Sequence, residues 1–136
     1  MTAFTVTEER LGALLADASI PAPHRALWAL LWEGEIRLDE ALMLDIRDFD
    51  LDRRTARLEF RVKPGPHAVP VGERTAMLLR EAFAGEAEGP AIQMFGRPVS
   101  QRGVALQARR HGVSIHAFRT SGQAAPWPSC GRQASL

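Results

Sequence analysis

Apolar residues near the start recur at helical spacing: Leu11, Leu14, Leu15 and Ala18 make one stripe, and Thr7 stands where an N-cap would. Glu8 and Glu9 follow it, where the helix dipole favours carboxylates. The run Ile20-Pro-Ala-Pro23 predicts the end of this helix. A second helix is predicted from about His24 to Trp32, apolar nearly all round and therefore central to a core, with Gly34 interrupting the pattern. A third runs from about Leu38 to Leu44, and the acidic stretch from Asp45 to Asp52 reads as a turn into a strand. From Thr55 to Val62 the alternation is clean, with Ala56, Leu58, Phe60 and Val62 on one face and Arg57, Glu59 and Arg61 on the other. Lys63-Pro-Gly-Pro66 has the chemistry of a turn, so His67 to Val71 can return as a second strand and place Lys63 at the tip or shoulder of a β-hairpin.

Glu73 to Ala84 again has helical spacing, with Ala76, Leu79 and Phe83 on one stripe and Arg74 and Glu81 opposite. A Gly- and Glu-containing surface loop follows. Ser100 can cap a helix through His111, Gly112 ends it, and His116 to Ala125 starts another that Pro126 and Pro128 cut short. The pattern predicts an α+β fold, mainly helical with a small antiparallel hairpin or sheet. Residues 1–125 are expected to form one domain and residues 126–136 an irregular tail, with no internal repeat and no long linker.

Composition narrows the chemistry. A chain of 136 residues with 46% hydrophobic and 24% charged positions suits one soluble core. The apolar run from Ala26 to Trp32 is too short to span a bilayer, and the first residues lack a signal-peptide layout, so the expected location is the cytoplasm and no membrane partner is expected. A single cysteine, Cys130, excludes an internal disulfide framework and a Cys-based zinc site; four scattered histidines offer no evident metal set, and no cofactor is expected.

The net charge of +1 hides a division: all 16 acidic residues lie at or before Glu88, against 11 basic ones there, for a local balance of −5. Beyond Glu88 come Arg97, Arg102, Arg109, Arg110, Arg119 and Arg132 with no acid, a segment of +6. Such a stretch suits a solvated surface, or equally a phosphate-facing one, because guanidinium forks bind phosphate bidentately. Arg97, Arg102, Arg109 and Arg110 are the candidate DNA contacts. Of 17 basic residues 16 are arginine, leaving Lys63 alone. A codon bias would produce that ratio; so would a site needing a proton donor near neutral pH, since arginine holds its proton above about pH 12.

Arg37 and Glu40 stand three apart, as do His116 and Arg119, and either pair could be ordinary helix decoration. Their order carries more: an arginine opening a helix, a hairpin with the single lysine, then His-x-x-Arg opening a helix inside the acid-free segment. Gly34-Glu-Ile-Arg37-Leu-Asp-Glu40-Ala-Leu-Met-Leu44, followed by Asp48-Phe-Asp50, resembles the first arginine box of the tyrosine recombinases, the phage-integrase family. The glycine is displaced by one position and Ile46 stands where the family has tryptophan. Leu58 to Val62, Lys63 and Val69-Pro-Val71 resemble the family's strand, lysine turn and V-P-L segment; Met94 to Ser100 resembles its link to the late helices; His116-Ala-Phe-Arg119 resembles its second box. The resemblance spans His24 to Gln123 and implies a tyrosine recombinase catalytic-domain-like fold.

It also implies roles. Arg37 and Arg119 would clamp the nonbridging oxygens of a DNA phosphodiester, Lys63 would protonate the departing 5′ oxygen, and His116 would hydrogen-bond the phosphate or assist the proton transfer. Glu40 is expected to orient Arg37 or cap local structure. The family's nucleophile is a tyrosine, and this sequence has none. Ser129 and Cys130 are nucleophilic in principle but have no base at a recognisable spacing, and Trp127 falls too early to replace the family's later box. Residues 1–23 have room for one helix and not for the family's separate DNA-clamping domain. The expectation is a catalytic domain incomplete at both ends, inactive alone, binding double-stranded DNA weakly and with strong salt dependence. A second copy or a partner recombinase on DNA would then complete it. The alternatives are a noncatalytic DNA-binding or regulatory module and a degenerate integrase remnant.

Overall fold

The computed structural model describes residues 5–59 and 67–124. Lys63, the end of the strand expected to reach Val62, and the tail with Trp127, Ser129, Cys130 and Arg132 lie outside the described residues.

The first helix, α1 (Glu8–Leu15), is capped by the Thr7 side chain, which accepts from the Arg10 N–H at 3.1 Å. Leu11, Leu14 and Leu15 are buried, but the helix stops at Leu15 and Ala18 is exposed. The reason is local: Asp17 Oδ1 accepts both the backbone N–H (2.9 Å) and the hydroxyl (2.6 Å) of Ser19, so the chain turns before the prolines arrive. Pro23 then lies within the first turn of α2 (Ala22–Glu33) instead of ending α1, a place where its missing N–H costs nothing.

Helix α2 is the centre of the molecule. Every residue from His24 to Trp32 is buried, and α1, α4 (Glu73–Phe83) and α6 (Ile115–Ala124) pack around it. Its one buried arginine is fully engaged: Arg25 Nε donates to the Ile20 carbonyl at 2.8 Å and Nη2 to Glu81 Oε2 at 2.9 Å, joining the α1–α2 turn to α4. Trp28 stacks on Phe118 of α6, ring centroids 5.0 Å apart and planes 14° from parallel, which fixes the rotation of α6 about its axis. Glycine makes the final approach possible. A Cβ at Gly122 would overlap the Trp32 carbonyl.

After α2 the chain passes through Gly34, in the left-handed region at φ 81°, into the short α3 (Leu38–Ala41). The helical pattern to Leu44 breaks after Ala41, because the Leu44 carbonyl and the Ile46 N–H pair instead with Ala91 N–H (2.9 Å) and the Gly89 carbonyl (2.8 Å). A 3₁₀ turn (Ile46–Asp48) leads to β1 (Phe49–Asp50), then β2 (Thr55–Arg57) and β3 (Ala68–Pro70). These form one antiparallel sheet in the order β1-β2-β3, with Ala56 opposite Phe49 on one side and Val69 on the other. The expected hairpin is therefore a three-stranded sheet whose first strand hides in the acidic run. Ala56, Leu58, Val69 and Val71 point into the core as the alternation requires, and the Leu58–His67 backbone bond extends the pairing toward the stretch containing Lys63.

The expected surface loop after α4 is only partly that. Ala91 and Ile92 are buried, and a second hairpin forms from β4 (Gln93–Met94) and β5 (Arg97–Pro98). Ser100 caps α5 (Gln101–Arg110), accepting from the Gly103 N–H at 3.0 Å, and α6 closes the fold against α2. Among the described residues no helix is long and apolar enough to cross a membrane, and no group of three or more His, Cys, Asp or Glu could hold a metal ion.

Candidate functional site

Two parts of the chain meet at the C-terminal corner of α2. Ile36, buried, anchors the segment after Gly34 and leaves Arg37 as the residue that opens α3. Glu40, also buried, accepts the Arg37 backbone N–H with Oε1 at 3.0 Å, so it caps α3 as one of the two expected roles had it. The Arg37 guanidinium reaches outward and lies 3.6 Å from Asp39 Oδ2.

The second part is α6. Because Phe118 and Gly122 are pressed against α2, Arg119 is carried to the same corner, where its Nη2 donates to the Gly34 carbonyl at 3.4 Å. Its Nε is buried and has no hydrogen-bond partner. His116, one turn earlier on the exposed face, stands beside it. A cleft of about 350 Å³ opens between these elements, lined by Leu31, Arg37, Leu38, Asp39, Gln101, Ile115, His116 and Arg119. That volume is at the low end of ligand clefts, roughly 300–1,000 Å³.

Three of the four residues expected to share a site thus line one cleft, and the fourth, Lys63, is outside the described residues. The cleft carries two permanent positive charges and an imidazole, a set suited to an oxyanion with several acceptor oxygens. The first residue of α5, Gln101, adds the N-terminal end of a helix. Asp39 works against anion binding by holding Arg37 in an exposed pair. Neither Asp39 nor Gln101 was singled out from sequence; the Ser100 cap was the one available signal that a helix would begin at Gln101.

The four candidate DNA-contact arginines do not form one cluster. All are exposed, and among the described residues none is paired with a carboxylate. Arg97 on β5 and Arg102 in the first turn of α5 flank Gln101 in sequence, whereas Arg109 and Arg110 occupy the last turn of α5, Arg110 eight residues or about 12 Å along the axis from Arg102. At that end positive charge also complements the helix dipole, and Arg10 donates to the His111 carbonyl at 2.5 Å.

A second titratable centre lies below the corner. Glu33, at the end of α2, accepts from the Gly72 N–H (3.0 and 3.1 Å) and the Thr75 hydroxyl (2.5 Å), closing the N-terminus of α4. Burial pushes its carboxyl above the ordinary glutamate value despite those bonds. Burial likewise lowers His24, whose Nδ1 has no partner.

No family model and no curated protein sequence matches the chain. Among solved structures, the crystal structure of XerA recombinase superposes with a TM-score of 0.65 at 17% identity, over 87% of this chain and 48% of that one. The fold is recombinase-like. The likeness is one of architecture, and this chain spans about half the length of the recombinase it matches.

Proposed function

We propose that the chain is a recombination-type DNA-binding module whose cleft holds one phosphodiester of duplex DNA. The observation that carries this reading is the shared cleft of Arg37, His116 and Arg119, from segments 82 positions apart, on a recombinase-like fold. Arg37 and Arg119 bind the two nonbridging oxygens as planar, permanently charged forks. His116 donates a further hydrogen bond. In the tyrosine recombinase chemistry that the sequence resembles, Lys63 then supplies the proton to the departing 5′ oxygen.

Strand transfer of that kind proceeds through a phosphotyrosine, and the sequence contains no tyrosine. These residues therefore bind and polarise the phosphate without themselves supplying that nucleophile. The missing tyrosine equally favours a purely noncatalytic binding module.

Binding to a fluorescent duplex over a salt series tests the site. Arg37→Ala and Arg119→Ala are each expected to lose roughly ten-fold in affinity and to flatten the salt slope by about one ion. Unchanged affinity and slope in both variants would remove the phosphate from the cleft. A nicked suicide substrate, resolved on a denaturing gel, is expected to give no covalent adduct with the chain alone.

A further inference from the structure

The β4–β5 hairpin turns on two residues, Phe95 and Gly96, both with positive φ (57° and 81°). Two-residue hairpins of this handedness favour Asn-Gly or Asp-Gly, because a side chain in the left-handed region is strained unless it is small and polar. Here the strained position holds a phenylalanine, and its ring is 95% exposed. The turn is nonetheless well fixed: Gln93 Oε1 accepts the Gly96 N–H at 2.8 Å, and the Val99 N–H bonds the Ile92 carbonyl at 3.1 Å where the hairpin joins the core. The ring stands in solvent on a backbone disfavoured for it and takes no part in the hydrophobic core. Strain retained against stability points to contact with something else.

Its surroundings say what. Arg97 and Arg102 are exposed on either side of the hairpin's exit, and no acidic residue follows Glu88 anywhere in the chain. Gln101, which lines the cleft, is six positions beyond Phe95, so their Cα atoms lie within about 20 Å of each other, some six base steps along a strand. We propose that the hairpin is a second DNA-contact element in which Phe95 wedges against a base step of the duplex held in the cleft while Arg97 and Arg102 bind the flanking phosphates. Apolar wedges of this kind unstack a step and are indifferent to counterions, unlike the arginines beside them.

The inference rests on the DNA-binding reading, and the test separates the two. A duplex carrying 2-aminopurine is titrated with wild type, Phe95→Ala, Phe95→Gly and the double variant Arg97→Gln/Arg102→Gln, at several salt concentrations. Wild type is expected to bind and to brighten the probe. Phe95→Ala is expected to lose about ten-fold in affinity with an unchanged salt slope and no brightening. Phe95→Gly should behave the same while melting no lower than wild type, since glycine relieves the strained φ; that excludes a folding defect. The arginine variant is expected to lower the slope by about two. If wild type binds and Phe95→Ala binds and brightens equally, the wedge is wrong although the cleft stands. If Phe95→Ala instead abolishes only self-association in sedimentation, the ring is a protein contact and the proposal is likewise overturned. If wild type binds no DNA at all, both readings fall.

Discussion

At the scale of single residues, Glu33 shows how an ionisable group can join two helices and still oppose folding when charged. Its carboxyl accepts from the amide of Gly72 and the hydroxyl of Thr75, yet desolvation raises its pKa above the ordinary glutamate value of 4.5. The native state therefore holds this proton more tightly than the unfolded chain, and stability falls as pH rises from 4.5 through the raised folded value. His24 acts in the opposite sense: buried and with a depressed pKa, it withdraws stability as pH falls below 6.5. Glu33→Gln isolates the first effect. In urea titrations at a series of pH values, its unfolding free energy is expected to gain on wild type as pH rises above 4.5 and then level off; a constant difference would contradict the assignment. Gly122 is the second telling residue. Gly122→Ala forces a methyl group into the Trp32 carbonyl and is expected to cost about 2–3 kcal/mol in the same assay, with the displacement of Arg119 lowering DNA affinity besides.

Elements were legible where periodicity and local chemistry agreed. The stripes on α1 and α4, the all-round apolar α2 and the Ser100 cap follow from side-chain spacing alone, and Ser100→Ala is expected to cost about 1 kcal/mol by leaving the Gly103 N–H unsatisfied. What stayed hidden depended on partners distant in sequence. Strand β1 reads as an acidic turn until β2 pairs with it, and α3 stops at Ala41 because residues 44–46 are claimed by residues 89–91. The second hairpin was masked by Phe95, an improbable residue at a left-handed turn position. In α3, Asp39 competes with bound anion for Arg37, so Asp39→Asn is expected to tighten DNA binding about two- to five-fold, in line with the modest worth of an exposed pair. A weakening on the same titration would mean that Asp39 positions Arg37.

At the scale of the whole molecule, the division between an acidic first part and an acid-free second part is plain from the residue string. Which arginines would converge was not derivable from it. Charge alone marked Arg97, Arg102, Arg109 and Arg110 as equals, but α5 separates them by its own length, and only the first two lie at the end of that helix where Gln101 lines the cleft. Order along the chain, together with the family resemblance, singled out Arg37, His116 and Arg119, and helix packing explains why they meet: Trp28 on Phe118 and Trp32 on Gly122 set α6 against the corner that Gly34 turns. The central claim is that two guanidinium groups from separate elements serve a single phosphate. A double-mutant cycle on duplex binding measures this directly, using Arg37→Ala, Arg119→Ala and both together. If one phosphate bridges them, the double variant loses less than the sum of the singles, by a coupling of about 1–2 kcal/mol. Strict additivity would mean that the two arginines act on separate phosphates, or on none, and would contradict the account.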